Sequence, residues 1–336
     1  MPTPDFFQSD AFELTQLTAA INAPVEGQAV PNIVDDLFQE EGVAVNRMYI
    51  EMESNTLSLV PARDYGSPGD PTSIDRRQVK GFDLIHLPTT GAVFASEVQG
   101  VREFGTEMGL QTIESKRNSV LAKMRQRLQA TIRYHRIKAL QGQIMDADGA
   151  KVLMNVFTEF GVTQQTKDFK LSTDTTKIKL IMEQAKELAE NAIGDSTSIV
   201  GWRCYAGRNW YDTFVTHPKL ENAFQRWQDG ALLMGSQARR PFTAFDVDFM
   251  KLYGKVGQQE FINTDEAYLV PVLDDPDAYI TRYGPANYIE TVNTIGLPYY
   301  AKAQLMDFDK GVMLEAQSNV LSIPTRPRSI IKLTKS

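Results

Sequence analysis

Apolar residues recur along this chain with two different spacings, and the points where the spacing changes mark its elements. In "FELTQLTAAIN", Phe12, Leu14, Leu17 and Ile21 keep helical spacing. "PNIVDDLFQEEGV" predicts a second short helix, stopped by Gly42. The period then becomes two. Met48, Ile50 and Met52 alternate with Tyr49, Glu51 and Glu53, as in a half-buried strand. A returning limb from Phe82 to Phe94 is rich in β-branched and apolar residues. Between them lies "YGSPGDPTSIDRRQVKGF", Tyr65 to Phe82, with prolines, glycines and charges and almost nothing to bury. A polar connection of about fifteen residues is longer than hairpin loops usually are, and connections of that kind tend to be functional.

After a short helical turn near "SEVQGVREFG", a long helix is predicted from about Gln111 to Gln141. Its apolar stripe is Ile113, Leu121, Met124, Leu128, Ile132 and Ile137, and Gly142 is its stop. "QIMDADGAKVLMNVF" reads as a hairpin turning at Asp148-Gly149. From about Asp174 the texture becomes α/β. Asp174 is the expected cap of a helix carrying Ile178, Ile181, Ala185 and Leu188 and ended by Gly194. "TSIVGWRCYAG" and "EAYLVPV" are predicted strands, with helical segments interrupted at Pro218 between them. "PYYAKAQLMDFDKGVMLEAQSNVLSIPTRPRSIIKL" closes the chain as long β segments with a turn at Asp307 to Gly311.

Composition narrows the function classes. The 336 residues suffice for roughly two domains, and 42% hydrophobic with 23% charged residues is globular. A balance of 35 basic against 42 acidic residues, net −7, argues against a general nucleic-acid binder. One cysteine, Cys204, excludes an internal disulfide and fits a reducing compartment. The first residues lack the pattern of a signal peptide, and no run approaches the ~18 apolar residues of a membrane span. The expectation is a soluble protein with no membrane partner.

Signatures of catalysis are missing. The chain has no GxxxxGK[ST], GxGxxG, GxSxG or HExxH. His86, His135 and His217 are widely separated, which makes a histidine metal site a poor fit; His86, in a strand, and His135, on the long helix, read as surface or packing residues, and Cys204 as a small core residue. "DADGAK" at Asp146 resembles the start of a calcium loop, but Ala150 and Lys151 stand where a ligand and a glycine belong, so a hairpin turn explains it better. "LDDPDAY", with Asp274, Asp275 and Asp277, reads as a solvated turn. No catalytic residue, metal ligand or cofactor is expected.

One charge pattern stands apart. Every charged residue of the long helix from Lys116 to Lys138 is basic: Lys116, Arg117, Lys123, Arg125, Arg127, Arg133, Arg136 and Lys138. The helix dipole accounts only for those in the last turn. The remainder either pair with acidic groups of neighbouring segments or subunits, or form a face that meets phosphate through charge alone.

In their order these pieces resemble the major capsid protein of tailed bacteriophages, with the α+β Hong Kong 97-type fold, and more closely the lambda-like major capsid protein E family. The likeness rests on "FELTQLTAAIN", "FQEEGV" and "GLPYYAKAQLMDFDKGVMLEAQSNVLSIPTRPRSIIKL" and spans nearly the whole chain. It implies an N-terminal arm (1–45), an extended β-hairpin loop (46–95), a peripheral domain with a spine helix and hairpin (96–173), an α/β axial domain (174–297) and a β segment completing the peripheral domain (298–336). It also implies that the loop lies across the next subunit. Tyr65, Asp75, Arg76, Arg77, Lys80 and Phe82 are then inter-subunit residues, whose core belongs to a neighbour. The implied partners are copies of the chain in hexamers and pentamers, a scaffolding protein, a portal protein, a decoration or cementing protein and packaged double-stranded DNA. The implied location is the virion capsid, assembled in the host cytoplasm. Lys80 alone implies no covalent crosslink. Two other readings remain at this level: a nanocompartment shell with a protein cargo, and an α/β enzyme with a lid loop.

Overall fold

The computed structural model of the protein describes residues 13–23, 34–52, 78–98, 113–194, 197–233, 241–252, 254–256 and 259–336. The first elements are α1 (Leu14–Asn22), β1 (Gln39–Gly42), β2 (Arg47–Met52), β3 (Gln78–Asp83), β4 (Ile85–Phe94), α2 (Ala95–Val98) and α3 (Ile113–Leu140). There follow β5 (Gln143–Met145), β6 (Val152–Asn155), α4 (Val156–Phe160), β7 (Gln165–Asp168), α5 (Ile178–Ile193), β8 (Ile199–Ala206), α6 (Arg208–Val215) and α7 (Glu221–Leu233). The rest is β9 (Phe242–Ala244), β10 (Val247–Lys251), β11 (Lys255–Val256), β12 (Gln259–Glu260), β13 (Glu266–Leu273), β14 (Tyr279–Gly284), β15 (Tyr300–Leu305), β16 (Gly311–Pro324) and β17 (Ile331–Thr334). The chain divides into two compact units. One comprises Met1–Met48, Asp83–Arg133 and Thr281–Ser322, the other Tyr49–Phe82, Tyr134–Ile280 and Ile323–Ser336. The stretch expected as one closing segment, 298–336, is divided after Ser322, because β17 pairs with β13 and β7 and not with β16.

The first unit is a sheet with a helix-packed face. Strand order is β1-β14-β16-β15, with β4 also on β16. The β15–β16 hairpin registers Tyr300 with Gln317 and Leu305 with Val312. The α3 stripe at Leu121, Met124, Leu128 and Ile132 is buried with Leu17 and Ile21 of α1 and with Val93, Ala301, Val312, Leu314 and Val320 of the sheet. Each of the larger side chains, Ala301 apart, contributes ~1.5–3 kcal/mol on leaving water. Helix and sheet meet closely at Gly91, where a Cβ would come within 2.8 Å of Val120 Cγ1. The Asn22 amide fixes the end of α1 by donating to the Tyr299 carbonyl at 2.7 Å.

Two sequence expectations fail in this unit. The helix predicted over "PNIVDDLFQEEGV" is a single 3-10 turn, Asp35–Leu37, after which Gln39–Gly42 forms β1 at the sheet edge. Tertiary pairing overrides local propensity here. Arg282 of β14 reaches the Gln39 carbonyl at 3.4 Å and the Glu41 carboxylate at 3.1 Å. The limb expected to return as one strand breaks at Leu84. Among the described residues β3 pairs only with β2, whereas β4 pairs with β16 from Ile85–Val320 to Phe94–Gly311. β4 therefore belongs to a sheet and not to the arm.

The second unit carries a six-stranded mixed sheet, β7-β17-β13-β8-β10-β9. β8–β10 and β17–β7 are parallel and the other neighbours antiparallel. Its core is aromatic: Trp210 stacks on Phe214 at 4.9 Å, and Phe214 lies 4.4 Å from Phe249. In α5 Ile178 and Ala185 are buried as the sequence spacing predicts, but Ile181 and Leu188 are only half-buried, and Met182 and Ala189 complete the buried face. Asp174, expected as its cap, is not: the helix starts at Ile178 after Lys177, without a side-chain cap, so packing and not capping holds this end. The stop is Gly194, at φ +65°. The predicted hairpin forms as β5–β6. Its turn is set by Asp148, whose carboxylate accepts from Ala150 N at 2.9 Å and Lys151 N at 3.0 Å, and by Gly149 at φ +68°.

Candidate subunit interface and basic helix

Of the arm residues singled out in the sequence, Tyr65, Asp75, Arg76 and Arg77 lie outside the described residues. Lys80 and Phe82 are on β3. Lys80 is half-buried. Phe82 is 2% exposed, with its ring 5.3 Å from that of Phe160 on α4. A ring this deeply buried in its own subunit already has a core, supplied by a segment that follows β5 and β6 in the chain. At the other end of the ribbon Arg47 and Asp83 pair at 3.6 Å, both exposed. An ion pair so exposed orients the strands and adds little stability.

The eight cations of α3 do not form one surface. Lys123 and Arg127 are exposed, four residues apart and hence on one face. Lys116 lies 3.9 Å from Glu97 of α2. Arg117 is buried, and its Nε and Nη2 reach Asn118 Oδ1 at 3.1 and 3.0 Å. Arg125 donates to the Ala23 carbonyl at the end of α1 and lies 5.7 Å from the Tyr299 ring centroid. Arg133 is half-buried. Arg136 is 2% exposed. Lys138 donates to Gln141 Oε1 at 3.3 Å and sits over the Tyr134 ring at 5.5 Å. Burial pulls the Lys138 ammonium below the usual lysine range, against the opposing carboxylates of Glu266 and Glu260. Arg117 and Arg136 therefore leave the set of surface cations. A charged side chain on an enclosed helix must find polar partners within the fold, and these have their long stems in its interior.

The other titratable groups singled out in the sequence make contacts within the fold. His86 Nδ1 is 2.6 Å from Asn319 Oδ1, across the β4–β16 pair. His217 is buried with Nε2 3.2 Å from the Thr173 carbonyl. His135 is buried too, and loss of solvent pushes its imidazole down to about 4, against the raising influence of Asp146 and the Met145 backbone. Cys204 is fully buried in β8, and burial pushes its thiol up and out of the reactive range. The backbone N–H groups of Lys151 and Ala150 hold the Asp148 carboxyl below its usual value, which is the turn's own doing. Near Pro276, Asp275 meets Arg326 at 3.4 Å and accepts from Asp277 N at 3.0 Å. Among the described residues no three His, Cys, Asp or Glu side chains converge as metal ligands. Among them, too, no helix is long and apolar enough to cross a membrane.

Sequence reasoning missed the Arg282–Glu41 link and the stretch between β14 and β15. The link joins residues more than 200 positions apart, so no local pattern announces it. The stretch 285–299 mixes apolar and small polar residues with no period of two or 3.6.

Comparison with known proteins agrees on one family. The family model described as phage major capsid protein E matches residues 13–335. The major capsid protein of Salmonella phage Felix O1 is 24% identical over 361 residues, covering 96% of both chains. That of Pseudomonas phage KPP10 is 21% identical over 282 residues, covering 76% of this chain and 78% of its own. Among solved structures, a protein of a prophage in Escherichia coli CFT073, assigned as its capsid protein, superimposes with a TM-score of 0.56 at 13% identity, covering 96% of this chain and 99% of that one. The capsid of cyanophage P-SCSP1u gives a TM-score of 0.51 at 10% identity over 94% and 92%.

Proposed function

We propose, from the premise that this chain belongs to the phage major capsid protein E family, that its hexamers and pentamers close an icosahedral shell around double-stranded DNA and that it catalyses no reaction. It has the Hong Kong 97-type fold. The observation that carries the reading is the family match over 13–335, joined to a ribbon whose strands β2 and β3 find, among the described residues, no sheet partner but each other. A two-stranded ribbon is marginal alone in water. Laid on the neighbouring subunit, it gains a surface, and a head-to-tail contact of this kind closes rings.

In this reading β2, β3 and the segment between them supply the inter-subunit loop, with Tyr65, Asp75, Arg76, Arg77 and Lys80 at the contact. The spine helix and 298–322 form the peripheral domain, and 174–280 with β17 the axial domain. Assembly proceeds in the host cytoplasm with a scaffolding protein and a portal protein, and a decoration protein binds the finished shell. On α3 the phosphate-facing role narrows to Lys123 and Arg127, the cations the fold leaves exposed on one face. Contact of this sort is sequence-independent and weakens with salt.

Electron microscopy of the assembled product tests the main claim: closed icosahedral particles are expected, and a monodisperse lone subunit in the presence of the scaffolding protein refutes it. Deleting Pro68 to Ile74 tests the loop. The subunit is expected to stay folded and to lose shell formation; normal particles refute the loop's role.

A further inference from the structure

The segment between β14 and β15 has apolar side chains pointing into solvent from a backbone that is firmly held. Ile289 is 91% exposed and Ile295 71%, and Val292 and Leu297 are exposed as well. Such side chains normally sit on loose loops or under a cover. Here the backbone is fixed from inside. Thr291 is buried and its hydroxyl donates to the Ala286 carbonyl at 2.7 Å. The Thr294 hydroxyl donates to the Thr291 carbonyl at 2.7 Å, and Leu297 N donates to the Tyr300 hydroxyl at 2.9 Å. Gly296 N donates to the Val43 carbonyl at 3.0 Å. No side chain fits at Gly296, where a Cβ would lie 2.0 Å from the Tyr283 carbonyl oxygen. Asn293 takes φ +60°, a left-handed conformation that asparagine tolerates better than most residues.

Val45, on the segment whose backbone pairs beside Gly296, is exposed as well. Ile295 lies against Gly42, and Gly284 sits between the Val45 carbonyl and Gly296. The five side chains expose on the order of 500 Å² of apolar surface, the upper range for the largest patch on an ordinary monomer. That is also roughly the apolar share of one side of a standard protein interface, about 800 Å² per partner and about 65% apolar between identical chains.

Charge narrows the occupant. The only ionisable acid or base in 285–299, apart from tyrosine, is Glu290, and Lys302 neutralises it within the chain at 2.7 Å. Beside Val45, Glu41 pairs with Arg282 and Arg47 with Asp83, so the patch carries no unpaired charge from these groups and fits an uncharged protein face better than phosphate or an anionic surface. In a closed shell most of a subunit's neighbours are copies of itself, so a neutral apolar surface of this size is offered first to them. We infer that Val45, Ile289, Val292, Ile295 and Leu297 form a contact surface for a second copy of this chain, pre-shaped before assembly. The inference rests on the shell reading above.

The chain offers a clean test, because its one cysteine, Cys204, is fully buried with its thiol pushed up by burial. Ile289→Cys and Ile295→Cys, each in the full chain, place a lone reactive thiol on the patch. Reaction with a small maleimide is followed in the free subunit and in shells made from this protein and its scaffolding protein alone. The thiols are expected to react at least about tenfold more slowly in the shell, since thiol reactivity follows access. Equal rates overturn the inference, and so does protection that arises only when a different coat protein is added. A second variant, Ile289→Asp with Ile295→Asp, is expected to melt like the parent as a free subunit and to lose shell formation at least tenfold; shells at parental yield overturn the inference. If the parent itself forms no shells, the shell reading fails first and this inference falls with it.

Discussion

Replacing Phe82 by alanine separates two accounts of the extended ribbon. If the ring's core lies in its own subunit, the free subunit must feel the loss. Phe82 is 2% exposed and its ring is 5.3 Å from Phe160, which is itself buried. Truncating a buried phenylalanine to alanine costs ~3–5 kcal/mol, as lost transfer energy plus the cavity left behind. The tilted pairing with Phe160, with 30° between the rings, puts this site toward the upper half of that range. For a body of this size each kcal/mol moves the melting midpoint by ~2–4 °C, so a fall of ~8–20 °C is expected. Phe82→Leu, which keeps most of the volume, is expected to cost under ~1.5 kcal/mol. The assay is thermal or urea unfolding of the unassembled subunit followed by circular dichroism, with shell stability measured in parallel. Should Phe82→Ala melt with the parent as a free subunit while its shells weaken, the ring's true partner is another copy, and the packing described here is wrong.

Other outcomes follow from single sites. Gly142 and Gly161 both take positive φ, +86° and +68°, but a Cβ at Gly142 would meet Phe157 Cε2 at 1.8 Å while nothing lies within 4 Å at Gly161. Gly161→Ala is expected to cost ~1–2 kcal/mol for the left-handed backbone alone, and Gly142→Ala ~1–3 kcal/mol more in chemical-denaturation midpoints; equal losses would show that the ring moves aside freely. His135 supplies a pH dependence. Its folded imidazole lies at about 4, below the ordinary 6.5, so the unfolded chain takes up the proton first as pH falls. Stability from the neutral ring is full above pH 6.5 and drains away as pH falls from 6.5 through 4, by about 3 kcal/mol in total. Urea titrations of His135→Leu between pH 7 and 4 are expected to show a correspondingly shallower slope, and a slope unchanged from the parent contradicts the assignment. Arg125 donates to the Ala23 carbonyl at the end of α1, so Arg125→Gln is expected to lower the free subunit's stability by ~1 kcal/mol, whereas Lys123→Gln with Arg127→Gln leaves it within ~0.5 kcal/mol. In that exposed pair the expected loss is in DNA retention as salt rises; full retention at every salt concentration removes phosphate contact from their role.

Much of the fold is legible where one period runs unbroken. The α3 stripe from Leu121 to Ile132, the buried face of α5, the Asp148-Gly149 turn and the β15–β16 hairpin all follow from spacing and turn chemistry. The failures share a cause. Gln39–Gly42 becomes a strand because β14 is beside it, and Arg282, far along the chain, holds Gln39 and Glu41 there. The run from Phe82 to Phe94 divides at Leu84 because β16 recruits only its second half. Asp174 has the chemistry of a cap, but the helix begins at Ile178, where burial of its apolar face starts. In each case a partner distant in sequence decides between conformations that local preference leaves close in energy.

The basic helix shows the same limit for a site. Eight like charges in one helix suggest a single electropositive face, but a helix distributes consecutive charges around its axis every 100°. With one stripe committed to the core at Leu121, Met124, Leu128 and Ile132, positions three or four apart share a fate and their neighbours do not. Lys123 and Arg127 fall together in solvent, Arg125 turns toward α1 and Tyr299, and Arg136 is enclosed. Composition fixes how many charges the helix carries, while the core stripe fixes which of them water or phosphate can reach. A charge run along a helix is therefore read only after its buried face has been assigned. For this chain that assignment leaves Lys123 and Arg127 exposed, Lys116, Arg125, Arg133 and Lys138 half-buried, and Arg117 and Arg136 enclosed.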